Sequence, residues 1–523
     1  MREVLPVYGT RGALPLAFVA SLTATALAQS PEPSLPPELE KYIAASLREW
    51  ELPGAAIAVV KDGRVLLARG YGVRELGKSA PVDAQTIFDI ASLTKSFTAA
   101  AIGALVDDGT VSWDDPISRI LPEVEFADPY LTANVTLKDL LAHRSGLAAA
   151  NGPTFTAVLP RDRLLRLVRY VEPSAPFRAR YVYSNLGYTV AGEAGARAAG
   201  TTWERLVTER LLRPLGMTRT TTDFAGAPRL GNLAVGHALF GGKLRPVPRG
   251  DASRTHTAPA GAVQSSAADL ATWMILHLGD GTHMGRRVLS PDVMAAMHSP
   301  HVISPTTESF RVSRQVRYFA GYGLGWQIFD YRGHLLWWHS GNGDGQVARM
   351  VLVPELRLGV AVLVNSWKVG GSLNQAIALR VIDHYLGVAP RDYAAEARAE
   401  WLAGSESRAR QERDLTALRH TGTAPSLAPA GYAGTYRDRY ELFWIVSVDA
   451  GYLRLRYANG DIANLEHWHH DTFRVRWSSP LRADDGERPL FVVFAVSATG
   501  VADGLTLDPG LFGEAVSARR QAR

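Results

Sequence analysis

Ser92 and Lys95 stand three positions apart in "ASLTKSF" (91–97), and of the seven lysines in the chain only Lys95 has a serine at that spacing. A serine hydroxyl is a poor nucleophile until a base removes its proton. Lysine can be that base when burial or neighbouring positive charge lowers its pKa. Three positions along a helix bring two side chains onto one face, a turn apart. A serine at a helix N-terminus also lies beside outward-pointing N–H groups that can steady an oxyanion. The plain alternative is an N-cap serine followed by a solvated lysine. Two further stretches weigh against it: "YVYSNLGY" carries Tyr183-Ser184-Asn185, and "WWHSGNG" carries His339-Ser340-Gly341. Tyr457-Ala458-Asn459, His420-Thr421-Gly422 and His283-Met284-Gly285 match the same short patterns, but they sit in a late β-rich region, a linker and a turn, whereas His339 ends a β run.

The elements that must position these groups follow from pattern. Residues 35–50 place Leu39, Ile43, Leu47 and Trp50 on one helical face. "GAAIAVVKDGRVLLARGYGV" predicts two strands joined at Lys61-Asp62-Gly63. A helix follows Ser92 and stops at Gly109; a mostly helical middle runs to about 225, and another helix covers 266–279. From 321 strands return as "GYGLGWQIF", "GHLLWWHSG", "QVARMVLVPE" and "LGVAVLVNS", an antiparallel meander closed by a helix at 373–386. An early hairpin and a late meander sharing one sheet, with helices between, is an α+β arrangement: an antiparallel sheet flanked by helices, with a mostly helical second subdomain. Residues 391–418 predict a solvated helix and 421–430 a linker, and the remaining strands a small all-β barrel or sandwich. The expected division is a leader at 1–28, a hydrolase domain at 29–390, a helical linker at 391–430 and a β-barrel at 431–523.

S-x-x-K, Y-x-N and H-x-G in this order, with about 90 residues between the first two, resemble the serine enzymes that include β-lactamases and penicillin-binding proteins. The likeness spans about residues 36–390 and is strengthened by "TIFDIASLTKSF", "TLKDLLAHRSGL", "PAGAVQSSAADLATWM" and "GYGLGW". It is closest in kind to the class C β-lactamase-like D-aminopeptidases and esterases. The β-rich tail is similar to the lipocalin-like domain that follows some hydrolases of this family, where it could cap the cleft, restrict substrate size or build a homo-oligomer. The resemblance implies that Ser92 is acylated, that Lys95 assists its deprotonation, and that Tyr183 serves as base toward Ser92 and acid toward the leaving group, with either Lys95 or Tyr183 taking the first proton. Asn185 would hold Lys95 and the substrate amide, and the N–H groups of Ser92 and Asn342 would form the oxyanion hole, beside substrate contacts from His339, Ser340 and Gly341. Positive charge near Tyr183 is expected to lower its pKa. Many β-lactamases carry lysine where this chain has His339; histidine offers a weaker, pH-dependent charge to a substrate carboxylate. The implied activity is amide cleavage in small or unusual peptides (D-residue, wall-type or linearised cyclic peptides). An esterase on short acyl esters is the alternative, ahead of a β-lactamase or a penicillin-binding receptor without turnover.

Composition narrows the rest. Fifty-six basic against 51 acidic residues give a net charge of +5, spread along the chain without the Lys/Arg runs of a nucleic-acid binder. With no cysteine there is no disulfide, thiolate nucleophile or cysteine metal site. "ALPLAFVASLTATALA" (13–28) ends in Ala26-Leu27-Ala28 and reads as a cleavable export signal, short for a bilayer span, which predicts a periplasmic or secreted protein with no membrane span after its removal. "EHWHHD" (466–471) has metal-ligand types, but alternate residues of a strand face opposite ways, so neither metal nor cofactor is assigned. His143 in "LAHRSGL" is expected to support a loop near the cleft.

Overall fold

Alternate residues of the central strands fall into two separate cores. Ala348, Met350, Leu352, Ala361 and Leu363 face one, while Val347, Val351, Val353, Val360, Val362 and Val364 face the other. Strands covered on both sides read as continuous apolar runs. In this computed structural model the described residues are 34–147, 159–250, 253–305, 318–367, 369–458, 460–478, 489–508 and 515–521. The expected leader at 1–28 lies outside them.

Eight antiparallel strands form the main sheet in the spatial order Arg64–Gly72, Gly54–Lys61, Leu358–Val364, Gln346–Val353, His334–Gly343, Gln327–Tyr331, Ala320–Tyr322, Val302–Ile303. The first hairpin turns at Asp62 (φ 52°) and Gly63 (φ 75°), two left-handed residues whose twist suits adjacent antiparallel strands. Helix Pro37–Glu49 buries Leu39, Ile43 and Leu47 in one core, shared with helix Val369–Tyr385. Helices Thr94–Asp107, Asn185–Ala198 and Ala267–Leu278 contribute to the other. The stretch "GYGLGWQIF" is two strands rather than one, broken by a turn in which Gly325 has φ 82°.

Helix Tyr393–Ala417 buries only Tyr393, Ala394 and Ala397. It is pinned where Asp383, fully buried, accepts from Arg332, Tyr331 and Tyr393. Beyond it, eight strands from Gly434–Asp438 to Val516–Arg520 close into an antiparallel barrel, the first pairing with the last at Tyr436↔Arg520. Inward positions alternate with exposed ones, as in "YLRLR" and "IANLEHWH". Tyr457 is part of this interior, its ring 3.9 Å from that of Trp444. His467, His469 and His470 sit around a bulged strand end; His467 Nε2 lies 3.0 Å from the His470 carbonyl, and among the described residues no cluster is arranged to hold a metal. No helix among them is long and apolar enough to cross a membrane.

Candidate active site

Ser92 does not cap a helix. It sits inside a single 3₁₀ turn, Ala91–Leu93, that leads into helix Thr94–Asp107, and the N-cap residue of that helix is Leu93. The residue before it, Ala91, has φ 43°, a left-handed conformation that costs energy for any residue with a Cβ. Asp89 holds it there by accepting the Ala91 N–H at 2.9 Å. Two glycines let other segments reach this turn. A Cβ on Gly341 would fall 2.0 Å from the Ile90 carbonyl oxygen and 3.0 Å from the Ser92 nitrogen, so strand His334–Gly343 lies directly against the Ser92 backbone. A Cβ on Gly325 would meet the Lys95 carbonyl oxygen at 2.8 Å.

The first turn of helix Thr94–Asp107 carries Lys95 inward, with no exposed surface. Its Nζ donates to Asn185 Oδ1 at 2.7 Å, to the Ala260 carbonyl at 2.7 Å and to Ser92 Oγ at 3.1 Å. Toward the Ser92 hydroxyl, Nζ presents an N–H when charged and a lone pair when neutral. Asn185 is at hand because Ser184 caps helix Asn185–Ala198 by accepting from the Gly187 N–H. Tyr183, just before that cap, donates its hydroxyl to Ser92 Oγ at 3.0 Å, and Nζ lies 4.8 Å from its ring centroid. Ser92, Lys95, Tyr183 and Asn185 therefore form one hydrogen-bonded group drawn from the entrances of two helices about 90 residues apart in sequence.

Two electrostatic expectations change. Tyr183 was expected to have a lowered pKa from nearby positive charge. Instead desolvation dominates and pushes the phenol above its ordinary value of 10, although part of the residue reaches the cleft, and the bond to Ser92 offsets only part of that. His339 was expected to offer a pH-dependent charge. It is 3% exposed, and burial, then the Lys95 charge, pushes its pKa down to about 3. Nδ1 lies 2.7 Å from the Ser340 carbonyl, which can only accept, so that nitrogen carries the proton. Nε2 then accepts from Tyr322 at 3.0 Å. The ring is neutral and both nitrogens are engaged. Ser340 is partly exposed and Asn342 exposed at the same strand end. The sequence named "GYGLGW" and "PAGAVQSSAADLATWM" only as surroundings; the structure gives them work, Tyr322 and Gly325 from the first, the Ala260 carbonyl from the second.

Burial of neutral histidines has a consequence for stability. His277 and His298 are also buried, 3.1 Å apart through Nδ1 and Nε2, with His298 stacked on Trp337 at 3.6 Å. Burial lowers the pKa of both, that of His277 to about 3, and lowers His143 as well. When the folded pKa is depressed, the unfolded chain binds the proton first. Stability from these groups is thus unaffected above pH 6.5 and falls as pH drops from 6.5 toward 3. At pH 5 the loss should be about 2 kcal/mol for each of His277 and His339. Thermal melting between pH 7.5 and 5 should show a falling midpoint; a flat midpoint over that range would contradict the neutral buried rings.

Comparison with known proteins places this geometry. The Beta-lactamase family profile matches residues 39–382, and a domain of unknown function (DUF3471) matches 418–520. The chain is 30% identical over 421 residues to an unguisins hydrolase of Aspergillus campestris, covering 76% of this chain and 75% of that protein. It is 31% identical over 324 residues to penicillin-binding protein 4 of Amycolatopsis lactamdurans, covering 61% of this chain and 82% of that protein. Among solved structures, the octameric penicillin-binding protein homologue from Pyrococcus abyssi aligns over 92% of this chain and 99% of its own, with TM-score 0.58 and 24% identity. SurE aligns over 92% and 98%, with TM-score 0.56 and 25% identity.

Proposed function

This chain belongs to the Beta-lactamase family and is a serine hydrolase of that fold; from that premise we propose that it is an exported peptidase or amidase that cleaves small or non-standard peptides through an acyl-Ser92 intermediate. The observation that carries the reading is the contact of Ser92 Oγ with both Lys95 Nζ and Tyr183 Oη, at 3.1 and 3.0 Å. In the neutral-amine form of Lys95, Ser92 Oγ attacks the amide carbonyl as its proton passes to Nζ. The oxyanion is met by the N–H groups of Ser92 and Asn342. Tyr183, which keeps its proton at rest, gives it to the departing amine and is reprotonated by Lys95. Water then reverses the sequence and frees the acid.

An amine is a poor leaving group unless protonated, and a protonated phenol beside Oγ suits that need. This favours amides over esters, which stay the second reading. The neutrality of His339 argues against a β-lactamase, because an uncharged ring offers no cation to a substrate carboxylate. A relative named as an unguisins hydrolase supports hydrolysis as the activity. The barrel is proposed to cover the cleft or to build a homo-oligomer.

The test is a pool of linear and cyclic, L- and D-peptides with short esters, incubated with the full chain and read by mass spectrometry. Loss of D-residue peptides or of linearised forms of the cyclic ones is expected. Loss of esters alone would replace the peptidase reading with the esterase one.

A further inference from the structure

His143 is a buried histidine that the reaction scheme does not use. It occupies an unfavourable place. Helix Leu137–Leu141 ends with Ala142 as C-cap, His143 N–H bonded to the Leu140 carbonyl at 3.2 Å and Arg144 N–H to the Asp139 carbonyl at 3.0 Å. This paired helix ending places its next residue in the left-handed region, and glycine is the usual occupant. His143 has φ 58° there, at a cost of about 1 kcal/mol relative to glycine. Turn formation alone gives no reason for an imidazole.

The ring supplies one. His143 Nδ1 accepts the Ser184 N–H at 3.0 Å, and the His143 carbonyl accepts the Val182 N–H at 2.8 Å. These bonds grip the backbone on both sides of Tyr183. The imidazole also lies against the Tyr183 ring, with centroids 4.4 Å apart. Because Nδ1 accepts, the proton is on Nε2, which no hydrogen-bond acceptor among the described residues reaches. Tyr322 and Tyr188 enclose it, with ring centroids at 4.7 and 5.0 Å. The turn is itself anchored to the same strand of chain. Asp139, whose carboxylate is fully buried, accepts from Arg144 at 2.6 Å and from both Nε and Nη2 of Arg178 at 2.9 and 2.8 Å. The Arg178 N–H donates to the Arg144 carbonyl at 2.8 Å.

We infer that His143 is a positioning residue for the hydrolase reaction: through Nδ1 and its carbonyl it fixes the 182–184 backbone so that the Tyr183 hydroxyl stays on Ser92. The inference rests on the hydrolase reading above. Neutral imidazole is required, since a proton on Nδ1 would oppose the Ser184 N–H.

His143→Gly keeps and even favours the turn while removing the ring. His143→Asn places an amide oxygen near the Nδ1 position and tolerates the left-handed backbone. Turnover of whichever pool substrate the full chain cleaves fastest would be measured for the parent, both variants and Ser92→Ala, with thermal melting of each. His143→Gly is expected to lose kcat by about 10²-fold, as a misplaced catalytic group does, with KM within about threefold. His143→Asn is expected to return kcat to within about threefold of the parent, because the acceptor is restored. Retention of more than half of kcat by a folded His143→Gly would overturn the inference, as would a folded His143→Asn that loses as much as the glycine variant. If His143→Gly does not fold, His143→Asn decides alone: near-parental kcat supports the inference and a tenfold loss overturns it. A parent without Ser92-dependent turnover of any member of the pool would sink the hydrolase reading and this inference with it.

Discussion

Ser92→Ala is expected to lower kcat by about 10⁴–10⁶-fold, the range seen when a nucleophile is removed from a cooperating group. The scale follows from the role. In the proposed scheme no acyl intermediate forms without Oγ, and Lys95 and Tyr183 have no hydroxyl to exchange protons with. The fold should hold. The Ser92 hydroxyl caps no helix, and in its absence Nζ still has Asn185 Oδ1 and the Ala260 carbonyl. The melting midpoint should therefore move by no more than a net hydrogen bond or two, about 1–2 kcal/mol. Steady-state hydrolysis and intact-mass detection of an acyl adduct, run on parent and variant together, check both halves. Activity within tenfold of the parent in a folded variant would remove Ser92 from the mechanism.

Lys95→Ala is expected to lower kcat by about 10³-fold, within the range for loss of a general acid–base group, while KM changes little. Lys95 is fully buried behind Ser92 rather than lining the cleft, so its removal should touch chemistry more than binding. The same substitution leaves Asn185 Oδ1 and the Ala260 carbonyl without their donor. Lys95→Arg separates the two effects. A guanidinium can meet those acceptors but cannot give up its proton at any ordinary pH, so it should fail to restore kcat. Recovery of kcat in Lys95→Arg would show that charge alone, and not proton exchange, is what the position supplies. Unchanged kcat in Lys95→Ala would exclude Lys95 altogether.

Much of the scaffold is legible in the sequence. Local rules act within a few residues: Asp62-Gly63 closes the first hairpin because both adopt the left-handed backbone, and alternation in "YLRLR" marks a barrel strand because successive side chains face opposite ways. The sequence did not show that the "GYGLGWQIF" run breaks at Gly325. The reversal uses a left-handed backbone at Gly325, which glycine adopts freely and which leaves no mark in an apolar run.

The same division runs through the site. The order and spacing of Ser92-x-x-Lys95, Tyr183-x-Asn185 and His339-x-Gly341 were enough to group the candidate site side chains, since the motifs consist of side-chain types. Sequence alone could not find the Ala260 carbonyl that receives Lys95, because every residue has a carbonyl and only the packing says which one is near. Nor could it set the charges. Tyr183 keeps its proton and His339 loses its charge because desolvation is a property of everything around a group, including residues such as Tyr322 and His143 that arrive from other parts of the chain. Which groups meet was written in the residue types; their protonation was decided by the enclosure that folding builds around them.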